Sequence, residues 1–276
     1  MTGIIMAGGF GTRLKPLTCN IPKPMVPMAN QPMMAHVINL LKNHNIKEII
    51  TLLYHQPQKI TSYFGDGSKA NVEMAYIRSD GDYGTAGSVR KAASFINERF
   101  LVISGDVLTD INLSEAIEFH TSKKALATLV LARVKNPLPF GIVITSEDGR
   151  IKRFLEKPSW GQVFSDTINT GIYILEPEIF DFIPSKTSYD FSKDLFPALL
   201  NNGEPIYGFI GKGYWKDVGD LNEYQNANFD IIHHKVNLAI AGNQQKENIW
   251  IGENCDISRD AILQPPVVIG NNCKIS

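Results

Sequence analysis

The segment from Ile4 to Pro27, IIMAGGFGTRLKPLTCNIPKPMVP, constrains this chain most, because it joins an apolar strand, a glycine turn and fixed cations without a single carboxylate. Ile4, Ile5 and Met6 read as a short strand, and Gly8, Gly9 and Gly11 free the following backbone to take positive φ and to approach a ligand closely. Amides in such a turn converge on one concavity, which suits phosphate oxygens. Arg13, Lys15 and Lys23 add permanent charge beside it, and no Asp or Glu occurs between Met1 and Lys47. In a chain of formal net charge −1 this is a local concentration of cations, and it reads as a phosphate cradle. The bland alternative is a tight βα connection, which the glycines alone would satisfy. A dinucleotide fingerprint is excluded, since Leu14 occupies the third-glycine position and residues 30–37 hold no acid for a ribose. A Walker loop would need Gly-Lys-Ser/Thr, which is absent. Lys15-Pro16 and Ile21-Pro22-Lys23-Pro24 instead predict a stiff, extended loop that holds Lys23 in place.

The run GGFGTRLKPLT followed by PKPMVP resembles the signature of the sugar-phosphate nucleotidyltransferases, the nucleoside-diphosphate-sugar pyrophosphorylases, and its wording is nearest to the mannose-1-phosphate guanylyltransferases. The resemblance implies a nucleoside triphosphate, GTP in that subfamily, lying over Gly8, Gly9, Gly11 and Thr12. It also implies Arg13 on the departing pyrophosphate and Lys23 near the reacting phosphates.

Beyond the cradle, helical apolar spacing at Met33–His44, Gln58–Phe64 and about Ser88–Ile96 alternates with strands at Ile49–Leu53, Val72–Ile77 and Phe100–Ile103. Such alternation predicts a doubly wound, mostly parallel α/β sheet covered on both faces, with ligands beyond the carboxyl ends of the strands. Two motifs fall at such ends. Tyr83-Gly84-Thr85-Ala86-Gly87-Ser88 opens a helix, with Thr85 as its N-cap on the plain reading. It also matches the family's GTAG segment, which by resemblance puts Gly84, Thr85 and Gly87 against the base. Ser104-Gly105-Asp106 follows a buried strand, and phosphoryl transfer needs a carboxylate that holds Mg²⁺ against the phosphates. The resemblance assigns that task to Asp106 and leaves Asp110 structural.

From Ala125 the style changes. A strand to Val134 is followed by a hairpin, Ile142–Thr145 and Ile151–Leu155, turned at Glu147-Asp148-Gly149, which predicts a second, sugar-binding lobe. Phe154-Leu155-Glu156-Lys157-Pro158, Asn169-Thr170-Gly171 and Trp215-Lys216-Asp217-Val218-Gly219 match the family's EKP, N-x-G and W-x-D-x-G motifs. By resemblance Glu156 and Asn169 serve sugar hydroxyls, Lys157 the sugar phosphate with Gly141 beside it, and Asp217 is the second metal carboxylate. Thr170 stands where many relatives have Ala, and Ser104 where many have Asn; neither change removes a charge. Tyr189-Asp190-Phe191-Ser192, heading a helix near Ser192–Leu200, reads as mainly structural, although by resemblance a family loop there borders the sugar. His233 and His234, ending a helix from Leu221, read as partners of its dipole.

Ala241–Asn248 reads as a polar linker. After it, Ile251-Gly252-Glu253-Asn254-Cys255-Asp256-Ile257-Ser258 recurs as Ile269-Gly270-Asn271-Asn272-Cys273-Lys274-Ile275-Ser276, shifted by 18 residues, or three hexapeptides. That period predicts the start of a left-handed parallel β-helix with Ile251, Ile257, Val267, Ile269 and Ile275 inward. Open coil edges predict a homo-oligomer through this segment. The domain expectation is therefore a nucleotidyltransferase domain over residues 1–236 and a partial β-helix over 249–276.

The remaining composition sets limits. Three cysteines without ligand spacing argue against a zinc site or disulfide framework. A balance of 27 basic and 28 acidic residues argues against nucleic-acid binding. No apolar run of about 18 or more residues and no apolar leader are found, which predicts a cytoplasmic protein without a membrane partner. The expected reaction is attack of a sugar 1-phosphate on the α-phosphorus of a nucleoside triphosphate with Mg²⁺ and without a general base. Two alternatives remain open: a glucose-1-phosphate uridylyl- or thymidylyltransferase, and a non-catalytic nucleotide-sugar sensor.

Overall fold

A computed structural model describes residues 1–276. Its centre is a nine-stranded sheet, and the order of the first parallel strands decides where a ligand can go. Glu73–Arg78, Glu48–Leu53, Thr2–Ala7 and Phe100–Ser104 lie side by side and parallel, so the third, second, first and fourth strands in chain order are neighbours. The direction of winding reverses between Thr2–Ala7 and Phe100–Ser104, and at such a switch point the connections diverge and leave a crevice beyond the carboxyl ends. The glycine loop leaves from one of these strands and Asp106 from the other.

Successive residues of each central strand face opposite sides. Ile4, Ile50 and Val102 enter one buried cluster of 24 residues, and Ile5, Ile49 and Ile103 enter another of 23 on the opposite face. Continuous apolar strands are what a sheet covered on both faces requires. Helices Met33–Asn43, Pro57–Phe64, Gly84–Arg90, Leu113–Lys123 and Phe196–Asn201 supply the cover.

The expected second lobe is not a separate sheet. Thr167–Leu175 runs antiparallel to Phe100–Ser104 through its second half, while Ile168 in its first half pairs with Ile142 of the hairpin. One strand thus carries the hairpin Gly141–Thr145/Ile151–Glu156 as a continuation of the main sheet. The change of partner coincides with a bulge between Asn169 and Ile172 against Ala127–Arg133, and Gly171 sits in it at φ 79°. A bulge bends the strand and re-aims the side chains beside it.

Two further expectations need correction. The helix drawn from Ser88 to Ile96 begins at Gly84, ends at Arg90 and gives way to a short 3₁₀ turn, because its start is set by packing on Tyr189 rather than by apolar spacing. The polar linker 241–248 contains an exposed strand, Asn243–Lys246, antiparallel to Ile249–Ile251. Beyond it, Ile249–Ile251 pairs parallel with Val267–Ile269, and Asp256–Ile257 pairs with Lys274–Ile275. Both pairings carry the 18-residue offset of the sequence repeat. Asn254 and Asn272 repeat the same left-handed turn. Of the positions expected inward, Ile269 is buried and Ile251, Ile257, Val267 and Ile275 are half-buried; Ile249 and Trp250 are the buried pair, with Trp250 packed against His234. No helix is long and apolar enough to cross a membrane.

Two histidines are enclosed in this frame. His36 meets the Met28 carbonyl at 3.0 Å, and His120 lies between Thr128 and Glu176. Burial holds both below the ordinary histidine value of 6.5. Below that value the unfolded chain binds protons that the folded chain refuses, so stability present above about pH 6.5 is lost as pH falls. The thermal midpoint is expected to drop between pH 7.5 and 5.5, and replacing both histidines with Asn should flatten that slope.

Candidate active site

The site is built where three segments meet at the switch point. The first is the cationic loop. Gly11 is left-handed, at φ 64°, and a Cβ there would lie 2.9 Å from Cβ of Lys23 and 3.0 Å from the Thr18 methyl. Glycine is therefore required twice, for the dihedral and for the space. Thr18 closes the loop by donating to the Gly11 carbonyl at 2.7 Å, and Leu14, Val26 and Met28 anchor it with no exposed surface. Pro22 is extended, as the proline-rich sequence predicted, but Lys23 starts a short 3₁₀ turn and is itself buried.

The second and third segments form a two-stranded ribbon, Val107–Thr109 antiparallel to Trp215–Asp217. Its register sets Asp217 opposite Val107, and the Val218 amide donates to the Asp106 carbonyl at 3.3 Å. Two carboxylates 111 positions apart in the chain are thereby brought to the same end of one ribbon. Lys23 closes the cluster, with its ammonium 2.5 Å from Asp106 and 3.7 Å from Asp217. Burial, and then repulsion from Asp106, hold Asp217 above the usual carboxylate range, opposed by Lys23 and Arg13. Two carboxylates in a partly dry corner demand positive charge between them. Arg13 reaches the same corner: a Cβ on Gly219 would lie 3.1 Å from Asp217 Oδ2 and 3.2 Å from Arg13 Nη2.

A cavity of ≈ 330 Å³ opens from this cluster across the strand ends. Gly8, Gly9, Gly84, Thr85 and Asp106, all expected from sequence, line it. Gly11, Thr12, Arg13, Lys23 and Asp217 lie on the loop and ribbon beside it, and Gly87 is buried beneath Thr187 and Tyr189 as a packing residue. Thr85 is not a helix cap; its hydroxyl donates to Asp190 at 2.8 Å and accepts from the Phe191 amide at 2.9 Å. That junction shows what sequence reasoning missed. Asp190 lines the cavity and caps its own helix through the Ser192 and Lys193 amides, so a segment read as mainly structural forms one wall. The Asp-x-Ser cap signature was visible, but its contact with Thr85, 105 residues away, was not.

The remaining expected residues gather on the hairpin side. Gly141 pairs with Glu156, and a Cβ on Gly141 would come within 2.6 Å of Glu156 Oε2. Burial raises the Glu156 carboxyl, with Lys157 the strongest opposing neighbour. Lys157 is exposed and left-handed at φ 45°, a costly conformation for a lysine and one that redirects its side chain from the strand. Asn169 is buried, and its amide donates to Tyr173 at 2.9 Å and to Ser192 at 3.1 Å. It pins the wall through internal bonds. Asp110 accepts from the amides of Tyr214 and Asn237, a structural role as expected.

Residues 2–234 match the pattern of the nucleotidyl transferase family. The chain belongs to that family. Over its whole length it is 36% identical to the UTP–glucose-1-phosphate uridylyltransferase of Synechocystis sp., covering 75% of that protein. Over 99% of its length it is 32% identical to a mannose-1-phosphate guanylyltransferase of Mycobacterium tuberculosis, covering 76% of it. The structure of HddC from Yersinia pseudotuberculosis complexed with GMP-PN superposes with a TM-score of 0.71 at 26% identity, over 83% of this chain and 99% of that one. The matched span ends at His234 and leaves the C-terminal segment outside.

Gly11→Ala tests the loop. It should cost about 1–3 kcal/mol of stability by strain at positive φ, read from denaturant unfolding, and should lower nucleotide affinity as Lys23 is displaced.

Proposed function

We propose that this nucleotidyl transferase joins a nucleoside triphosphate, GTP, to a sugar 1-phosphate, mannose 1-phosphate, releasing pyrophosphate and forming a nucleotide sugar. The carrying observation is the convergence of Lys23, Arg13 and Asp217 on Asp106, which lines the switch-point cavity. The reading of guanine and mannose rests on the GGFGTRLKPLT and PKPMVP wording and on the guanylyltransferase likeness. The 36% identity to a uridylyltransferase supports a second reading, UTP with glucose 1-phosphate.

In this mechanism the amides of Gly8 to Gly11 hold the triphosphate, and Arg13 takes the charge of the departing pyrophosphate. Lys23 sits at the reacting phosphates. Asp106 and Asp217 fit a divalent cation, because both face one point already claimed by an ammonium. Mg²⁺ bound there would neutralise charge on the phosphates. A phosphate oxygen of the sugar 1-phosphate attacks the α-phosphorus, the bond to the β-phosphate oxygen breaks, and no side chain needs to accept a proton. Positioning and charge carry the rate. Lys157 serves the sugar phosphate, Glu156 the sugar hydroxyls, and Asn169 and Gly141 shape that wall.

We also propose a nucleotidyltransferase domain over 1–236 and the first coil of a left-handed β-helix over 249–276, through which copies assemble. A coil buries its inward residues only against another coil or a cap, and the half-buried state of Ile257 and Ile275 fits a face covered by a second copy.

Pyrophosphate release across nucleoside triphosphates and sugar 1-phosphates tests the reaction: turnover is expected with GTP and mannose 1-phosphate. Asp217→Asn should fold and lose several kcal/mol of transition-state stabilisation, whereas near-normal turnover would remove Asp217 from the mechanism. Deleting residues 249–276 should reduce the mass seen by light scattering, and an unchanged mass would overturn the assembly role.

A further inference from the structure

The nucleoside end of the cavity carries a feature that the reacting cluster does not explain. Strands in a sheet lie about 5 Å apart. The cavity crosses the ends of three of them: Ala7 and Gly8 on the first, Leu53 and Tyr54 on the second, Ile77 and Ser79 on the third. A triphosphate anchored at Gly8 and Asp106 therefore extends its base about 10 Å toward Ser79, Gly81 and Asp82. Two charged side chains line that far end, Asp82 and Lys91.

Asp82 is exposed at the rim of that end and Lys91 is half-buried, and each is held by the chain. Asp82 Oδ1 accepts from the Gly84 amide at 3.0 Å, and Oδ2 has no partner in the chain. Lys91 is paired with Asp80 and lies over the Tyr83 ring, 4.0 Å from its centroid. A carboxylate fixed by one oxygen and open at the other thus lines the same cavity as a tethered ammonium.

We infer that Asp82 reads the base and selects guanine, with Lys91 as its cationic partner. This rests on the nucleotide occupying the cavity as proposed above. Guanine presents N1–H and its 2-amino group as adjacent donors, next to the O6 acceptor. The carboxylate takes the two donors, Oδ2 one of them and the second lone pair of Oδ1 the other, and an ammonium donates to O6, so every polar atom on that edge is used. Uracil and thymine present one N–H between two carbonyls, and adenine presents a bare ring nitrogen beside its amino group. Each would set an acceptor against the carboxylate, and the repulsion between facing lone pairs is what rejects the wrong base. The inference runs against the base named for the uridylyltransferase relative.

The test compares GTP and UTP with wild type and Asp82→Asn, by kcat/KM in the pyrophosphate assay and by calorimetric binding of each triphosphate. Wild type should prefer GTP in both measurements, and Asp82→Asn should lower the GTP:UTP ratio by about 100-fold. Asp82→Glu should restore part of it. A ratio that survives Asp82→Asn, equal losses for both nucleotides, or a wild-type preference for UTP would overturn the assignment. The two readouts separate it from the reaction itself: selective GTP binding that depends on Asp82 without turnover contradicts the catalytic reading alone, and turnover with an Asp82-independent ratio contradicts the base reading alone.

Discussion

The ammonium of Lys23 between Asp106 and Asp217 is the interaction on which the site depends. Bringing two carboxylates into one half-buried corner is unfavourable, as the raised Asp217 carboxyl shows. The fold tolerates the arrangement because a cation is delivered there by a loop that is anchored on both sides of it. Gly11 lets the loop turn, prolines on both sides of Lys23 stiffen it, and Thr18 ties it shut. Substrate phosphates would enter a place whose charge is already arranged, and such preorganisation is what electrostatic catalysis requires.

Holding the cluster together falls to a small core apart from the two main ones. Val26 lies three residues after Lys23, Leu108 two after Asp106, and Val218 one after Asp217; all three are fully buried with Met28, Met33, Ala227 and Ile231. The loop, the ribbon and the helix Leu221–Ile232 thus meet in one apolar contact. The strand bearing Asp217 is fastened from behind as well, since Lys216 pairs with Glu223 and Asp230, and Asp230 accepts from the Tyr214 hydroxyl at 2.7 Å. Reactive groups sit on loops and strand ends while their neighbours in sequence carry the packing. A loss in this minor core would therefore move three functional groups at once.

Much of this was legible in the sequence, and for identifiable reasons. βα alternation and continuous apolar strands reveal a parallel sheet, and the glycine and proline pattern of Ile4 to Pro27 records the loop's geometry locally. Parallel pairing of the C-terminal coil was visible because its repeat is short and regular. What could not be read depends on contacts between distant segments. Thr85 has the composition of a helix cap, yet its hydroxyl is claimed by Asp190. Asn169 looks like a free sugar-binding amide, yet a bulge turns it onto Tyr173 and Ser192. The hairpin after Phe140 looks like a new lobe because its style is antiparallel, yet Thr167–Leu175 bridges it to the main sheet.

The central claim is that Lys23, Asp106 and Asp217 act as one charge-balanced unit. A double-mutant cycle on kcat/KM for nucleotidyl transfer, with Lys23→Met, Asp106→Asn and the pair combined, measures that directly. The account predicts strong non-additivity, with the double variant little worse than the more impaired single variant, because either change already dismantles the unit. Losses that simply add would mean that the two residues act independently, and would contradict it.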